Sequence, residues 1–226
     1  MSVYTHVELT KDQLAKWEDT RVALSWHCPA FTHIFINLCS HGKYGAIFTR
    51  DVPIAGTDGT SILINPDTFF KYDLMERLFI MAHEICHCMF NHLIHLEKWR
   101  VSKLVVYPDG KKLPFSPEKM NIALDLVINA ILINAKVGTF NKAWLYDTSV
   151  ATHMDTGIDT YRKLWTTYPP PPPPPKRPKD DPTPAGNDQP PVGPKGKGFD
   201  EHMKPGEAEG KKPHQAVQEH NQAEWD

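Results

Sequence analysis

The sequence has no apolar stretch approaching the ~20 residues needed to cross a bilayer. It opens Met1-Ser2-Val3-Tyr4-Thr5-His6, without the basic and then apolar segment of an export signal. A cytoplasmic protein that spans no membrane is the expectation. Cysteine is scarce. Cys28, Cys39, Cys86 and Cys88 are too few and too irregularly spaced for a disulfide framework, so reduced thiols are expected. Neither sign of charge dominates: 25 Lys+Arg stand against 27 Asp+Glu, which gives no reason to expect nucleic acid or an anionic membrane as a partner. No internal repeat is visible.

Proline is sparse at first and then abundant, with 15 of the 21 prolines after Tyr168, including the run Pro169–Pro175. Residues 1–168 therefore read as one folded domain, long enough to bury roughly 70% of its unfolded surface. Residues 169–226 read as a proline-rich, disordered tail with almost no apolar content. Seven prolines in polyproline II geometry would reach about 22 Å at ~3.1 Å each, serving as a spacer or docking in the aromatic-lined groove of a partner protein.

Within the domain, Thr10 followed by Gln13 predicts a capping box, and Leu14, Trp17, Val22 and Leu24 carry a helix onward. Pro29 interrupts it, and Phe31–Cys39 reads as a second short apolar helix ending near Gly42. Ala46–Thr49 and Ser61–Ile64 look like strands of a small antiparallel element, joined through the turn-rich loop Ala55–Thr60. Residues 73–98 predict one central helix, apolar on most sides, with Leu78, Ala82, Ile85, Met89, Leu93 and Leu96 on its main face. Val101–Tyr107 and the turn at Pro108-Asp109-Gly110 suggest a hairpin. Ser116-Pro117-Glu118 marks the start of a helix running to about Ala135. A last short helix is expected over 157–166. The fold class is α+β, mostly helical with a small antiparallel sheet.

The central helix contains His83-Glu84-Ile85-Cys86-His87. Residues four apart on a helix lie ~40° apart around the axis, so both imidazoles can face one ion. Glu84, ~100° from His83, falls beside that ion, where a carboxylate can take a proton from water. Burying two imidazoles and a carboxylate without partners would cost several kcal/mol, which favours a metal site over two ordinary core histidines. A third ligand is then needed. On a continuous helix His92 lies ~140° from His87 and cannot converge with the pair; His95 is no better placed. Cys86 and Cys88 read as core filling.

The later helix offers a better third ligand. Asn121, Asp125 and Asn129 share an ~80° stripe on an otherwise apolar helix, and such a stripe must meet something polar inside the fold. If this helix packs on the central one, Asp125 completes a His83, His87, Asp125 site, and Asn121 and Asn129 would hold the ligands by hydrogen bonds. Glu118 as the ligand, or a metal-free hydrogen-bond network, are the alternatives.

These residues carry a family resemblance. Thr57-Asp58-Gly59, then Ile62-Leu63-Ile64-Asn65-Pro66, then His83–His87 with His92 five residues on, and finally Asn121-Ile122-Ala123-Leu124-Asp125 with Ile128-Asn129 follow one another in order. The set resembles the putative metallopeptidase domain that precedes a von Willebrand factor A-like domain in many bacterial proteins, with versions in tailed bacteriophages. The similarity covers about residues 9–166. It implies a zincin-like fold, zinc as cofactor, Asp125 as third ligand, a protein or peptide substrate, and an edge for an extended substrate along Ser61–Ile64. For a viral member the compartment would be the host cytoplasm.

Residues and resemblance together lead to a zinc metallopeptidase with Glu84 as general base. Tyr146, His153 and Tyr161 are candidates for stabilising the oxyanion. The competing expectation is a non-catalytic, metal-stabilised adaptor that binds partner proteins through its tail.

Overall fold

The computed structural model describes residues 4–40, 42–168 and 200–202. The expected disorder of the proline-rich tail falls outside these residues, apart from 200–202, which form a strand.

The chain starts with α1 (Lys11–His27), whose capping box is formed as expected: the Thr10 hydroxyl accepts from Gln13 N–H, and the Gln13 side chain accepts from Thr10 N–H. α2 (Pro29–Ile34) begins at Pro29, where a missing N–H costs nothing, and continues into a π-helical turn, Phe35–Cys39. Next come β1 (Ile47–Phe48), β2 (Ala55–Thr57), β3 (Ile62–Ile64) and the short α3 (Pro66–Phe69). α4 (Leu74–Met89) is the central helix, with a second capping box from Asp73 and Glu76. α5 (His92–Ser102), the hairpin β4 (Leu104–Val106) and β5 (Lys112–Pro114), α6 (Pro117–Asn134) and α7 (Gly157–Thr167) complete the domain. β6 (Asp200–His202) returns to the sheet.

Three expectations need correction. The 73–98 segment is two helices, because Phe90 ends α4 and Asn91 adopts a left-handed conformation, φ 53°. Asparagine tolerates that conformation better than most residues, so it can stop a helix where its apolar pattern would continue. The Ala55–Thr60 loop is half strand: β2 pairs antiparallel with β3 in the register Ala55↔Ile64, Gly56↔Leu63, Thr57↔Ile62, and only the following residues turn. Finally, the sheet is mixed. β1 runs parallel to β3, and the strand order β1-β3-β2-β6 puts β3 in the interior. Ser61–Ile64 is therefore not an edge. Of the three strands before the tail, β1 and β2 are the outer ones, and β6 pairs with β2 in parallel.

Two cores flank α4 and α6. The first gathers α1, the sheet and α4 around Trp17, which is fully buried, meets Phe35, Phe48 and Phe69 edge-on, and donates its indole N–H to Tyr44 O. The second gathers the hairpin, α6 and α7 around Tyr161. α6 serves both: Ile128 and Leu132 enter the first core, while Ala123, Leu124, Leu126 and Val127 enter the second. Its nearly continuous apolar sequence follows from that double duty. Arg77 is buried in the first core, where it donates to Thr20 Oγ1 at 2.9 Å, fastening α4 to α1, and to Tyr72 O at 2.8 Å.

Beyond α6 the chain presses against the start of α4. Gly138 has φ +62°, and a methyl group there would lie 2.5 Å from Met75 O and 2.7 Å from Phe79 N. Gly110 has a similar backbone, φ +79°, with nothing within 4 Å of the added methyl. Gly138→Ala is expected to lower unfolding free energy by about 2 kcal/mol or more, and Gly110→Ala by only about 1 kcal/mol. Urea titration of both variants checks this, and equal losses would show that the close approach to α4 is unimportant.

Candidate metal centre

Residues Arg77–Cys88 of α4 form an unbroken buried run, so the histidines and Glu84 sit in the interior: His83, Glu84 and His87 are each 0% exposed, and Asp125 is 5% exposed. α6 packs against α4 and brings Asp125 to the imidazoles. His83 Nε2 and His87 Nε2 lie 3.0 Å apart. Asp125 Oδ1 is 3.4 Å from His87 Nε2 and 3.8 Å from His83 Nε2. Three ligand-type atoms thus surround one point.

The spacing can be tested against a metal. Ligand atoms held 2.0–2.2 Å from a tetrahedral ion stand about 3.3–3.6 Å from one another. The three observed separations straddle that value, so His83, His87 and Asp125 form a group that could hold a metal ion. The donor set, two imidazoles and a carboxylate, suits a borderline divalent cation.

The surrounding hydrogen bonds fix which nitrogens face inward. Asn129 Nδ2 donates to Leu145 O at 2.8 Å, so its Oδ1 is the atom 2.9 Å from His83 Nδ1. An amide oxygen only accepts, hence His83 Nδ1 carries the proton and Nε2 presents a lone pair. His87 has two arrangements. Its Nε2–H can donate to His83 Nε2 while Nδ1 accepts from His92 Nδ1, 3.1 Å away. Alternatively His87 Nδ1–H donates to His92, leaving both Nε2 lone pairs and the carboxylate aimed at one point. The second arrangement is the metal-binding one, and His92 supports either.

His92 is the residue that sequence reasoning undervalued. It does not join the inward-facing group, but it meets the outer nitrogen of His87, with the rings T-shaped at 5.0 Å. The continuous helix assumed for 73–98 rotated it away; the break at Asn91 returns it. The signal was the asparagine itself, a left-handed former inside an apolar pattern that otherwise runs on. Of the other expected residues, Asn129 bonds directly to His83, whereas Asn121 is half-buried one turn before Asp125. Glu118 lies in the exposed first turn of α6.

The cysteines beside the site are poor ligand candidates. Burial pushes the Cys86 thiol far up from its ordinary value, with Cys88 and Glu84 adding to the effect. The Cys88 thiol is raised by its hydrogen bond with Cys39 and by burial. All four cysteines are free and buried. Tyr161, considered for the oxyanion, is committed elsewhere: its hydroxyl donates to Pro114 O at 2.6 Å and accepts from Ser116 N–H at 2.7 Å. Tyr146 and the exposed His153 line a cavity with Ala130, Ile133 and Asn134.

Fold and site together define an α+β domain, with helices and a small mixed sheet, built around a buried group of two imidazoles and a carboxylate able to take a metal ion. The family follows directly. The chain belongs to the family described as "Putative metallopeptidase domain", whose model matches residues 23–165. No curated protein and no solved structure matches the chain.

Asn129→Leu removes the acceptor of His83 Nδ1–H and the donor to Leu145 O inside the protein. A loss of about 1–3 kcal/mol in unfolding free energy is expected, read by denaturation in the presence of chelator. An unchanged midpoint in chelator would mean that Asn129 matters only when metal is bound.

Proposed function

We propose that the protein is a zinc-dependent metallopeptidase that hydrolyses peptide bonds at the His83, His87, Asp125 centre. The single observation carrying this reading is the convergence of those three side chains at ligand spacing, with Glu84 buried beside them. His83, His87 and Asp125 would hold the ion, Asn129 and His92 would orient the two imidazoles, and Asn121 would support Asp125 from the preceding turn.

Bound zinc would supply a Lewis acid that polarises the scissile carbonyl and brings the pKa of its water down toward ~7. Glu84 takes the proton from the attacking water and delivers it to the leaving amine as the C–N bond breaks, a role worth roughly 10²–10⁴-fold. The burial of the centre gives Glu84 surroundings in which its charge is felt strongly. It also requires that the elements covering the site shift before a peptide reaches it.

Glu84→Gln should retain one equivalent of zinc by elemental analysis and lose at least a hundredfold in peptide cleavage. Asp125→Ala should lose the zinc, and His92→Phe should weaken it roughly 10–100-fold in a competition titration with a chelating dye. Cleavage that survives Glu84→Gln, or zinc retained equally by Asp125→Ala, would overturn the assignment.

A further inference from the structure

The strand β6 has no part in the metal centre, yet it occupies a consequential position. It pairs in parallel with β2 through Ala55↔Asp200, Gly56↔Glu201 and Thr57↔His202. Apart from β6, β2 is one of the two outer strands of the sheet, and it is the one against which α4 packs. Thr57, at its end, touches the site helix directly: its Oγ1 is 3.2 Å from Cys88 Sγ, one residue beyond His87. Neighbouring strands lie about 4.8 Å apart. Whatever pairs with the outer edge of β2 therefore lies one strand spacing from the strand whose end touches the carboxyl-terminal part of α4.

Resting on the peptidase reading, we infer that this outer edge of β2 is where an extended peptide substrate docks, and that residues 200–202 are a resident strand which the substrate must displace. An open strand edge offers unpaired N–H and C=O groups to any extended backbone, irrespective of its side chains. The resident is suited to displacement. It pairs over only three residues, and parallel pairing is slightly weaker per residue than antiparallel, so a longer antiparallel peptide outcompetes it. Covalent attachment through the intervening residues 169–199 holds the strand at an effective concentration on the order of millimolar. Substrates present well below that level meet a blocked edge, and the tail acts as a built-in competitor.

The test uses the full chain. In a parallel ladder, alternate residues direct their N–H groups to a given neighbour, so two consecutive prolines remove an inward donor whichever residue carries it. The double variant E201P/H202P is compared with E201A/H202A, which keeps both N–H groups. In hydrogen exchange, amides of Ala55–Thr57 should lose protection by tenfold or more in the proline variant and keep it in the alanine variant. Adding millimolar synthetic peptide spanning residues 196–206 to the proline variant should restore that protection. In cleavage of an unstructured peptide, the proline variant should show KM several-fold lower with kcat unchanged.

Unchanged exchange in the proline variant would remove the resident strand from the argument. Exposed amides with an unchanged KM would show that the substrate docks elsewhere. Failure of the peptidase reading is separate: no variant would cleave, while the exchange and its reversal by the peptide would still report occupancy of the edge.

Discussion

Everything at the centre depends on keeping two imidazole nitrogens and a carboxylate oxygen within contact distance of one another in the protein interior. Left to themselves, buried lone pairs repel, and a buried carboxylate carries a heavy desolvation cost. The fold meets this from both sides. α4 supplies the histidines at a four-residue interval, and α6, wedged between the two cores, supplies Asp125 and Asn129 at the same interval. Because one amide of α6 fixes His83 while its neighbour one turn earlier faces the ion position, the two helices are locked in rotation as well as in contact.

Much of this was legible in the sequence, for local reasons. The capping box at Thr10, the Ser116-Pro117 start and the four-residue intervals are properties of short segments, and the structure reproduces the helices they imply. The polar stripe on an apolar helix located Asp125 because burial leaves a carboxylate few alternatives. What escaped was set by single residues or by distant pairing. One left-handed asparagine split a helix whose apolar pattern ran on unbroken, and moved His92 from irrelevance to contact with His87. β2 was hidden because Ala55-Gly56-Thr57 has neither β-branched density nor alternation; its strand character comes from pairing with β3. The β1–β3 parallel pairing, and the arrival of residues 200–202, are nonlocal facts with no sequence period to announce them.

The Thr57-Asp58-Gly59 motif, read from the sequence as part of a turn-rich loop and as one of the family motifs, links these parts. Thr57 Oγ1 donates to Ser61 O at 2.7 Å and accepts from Gly59 N–H at 3.0 Å. Asp58 Oδ1 accepts from Ser61 N–H at 2.7 Å and Thr60 N–H at 3.0 Å. The turn is thereby closed on itself, and it sits at the junction of α4 and α5. Thr57 abuts Cys88 near the end of α4, and a methyl group on Gly59 would stand 3.6 Å from Leu93 Cβ, in the first turn of α5. The turn therefore lies beside residues on either side of the break at Phe90–Asn91.

The turn lies where α5 leaves α4, close to the segment that carries His92 to His87. The aspartate then has a structural reason to be buried without binding metal. Its carboxylate ties the β2–β3 connection into one shape by accepting from the Thr60 and Ser61 N–H groups. Sheet edge and metal centre are thus neighbours through a single turn. β2 carries two contacts at once: its backbone pairs with β6 on the outer side, and Thr57 at its end meets Cys88 on α4.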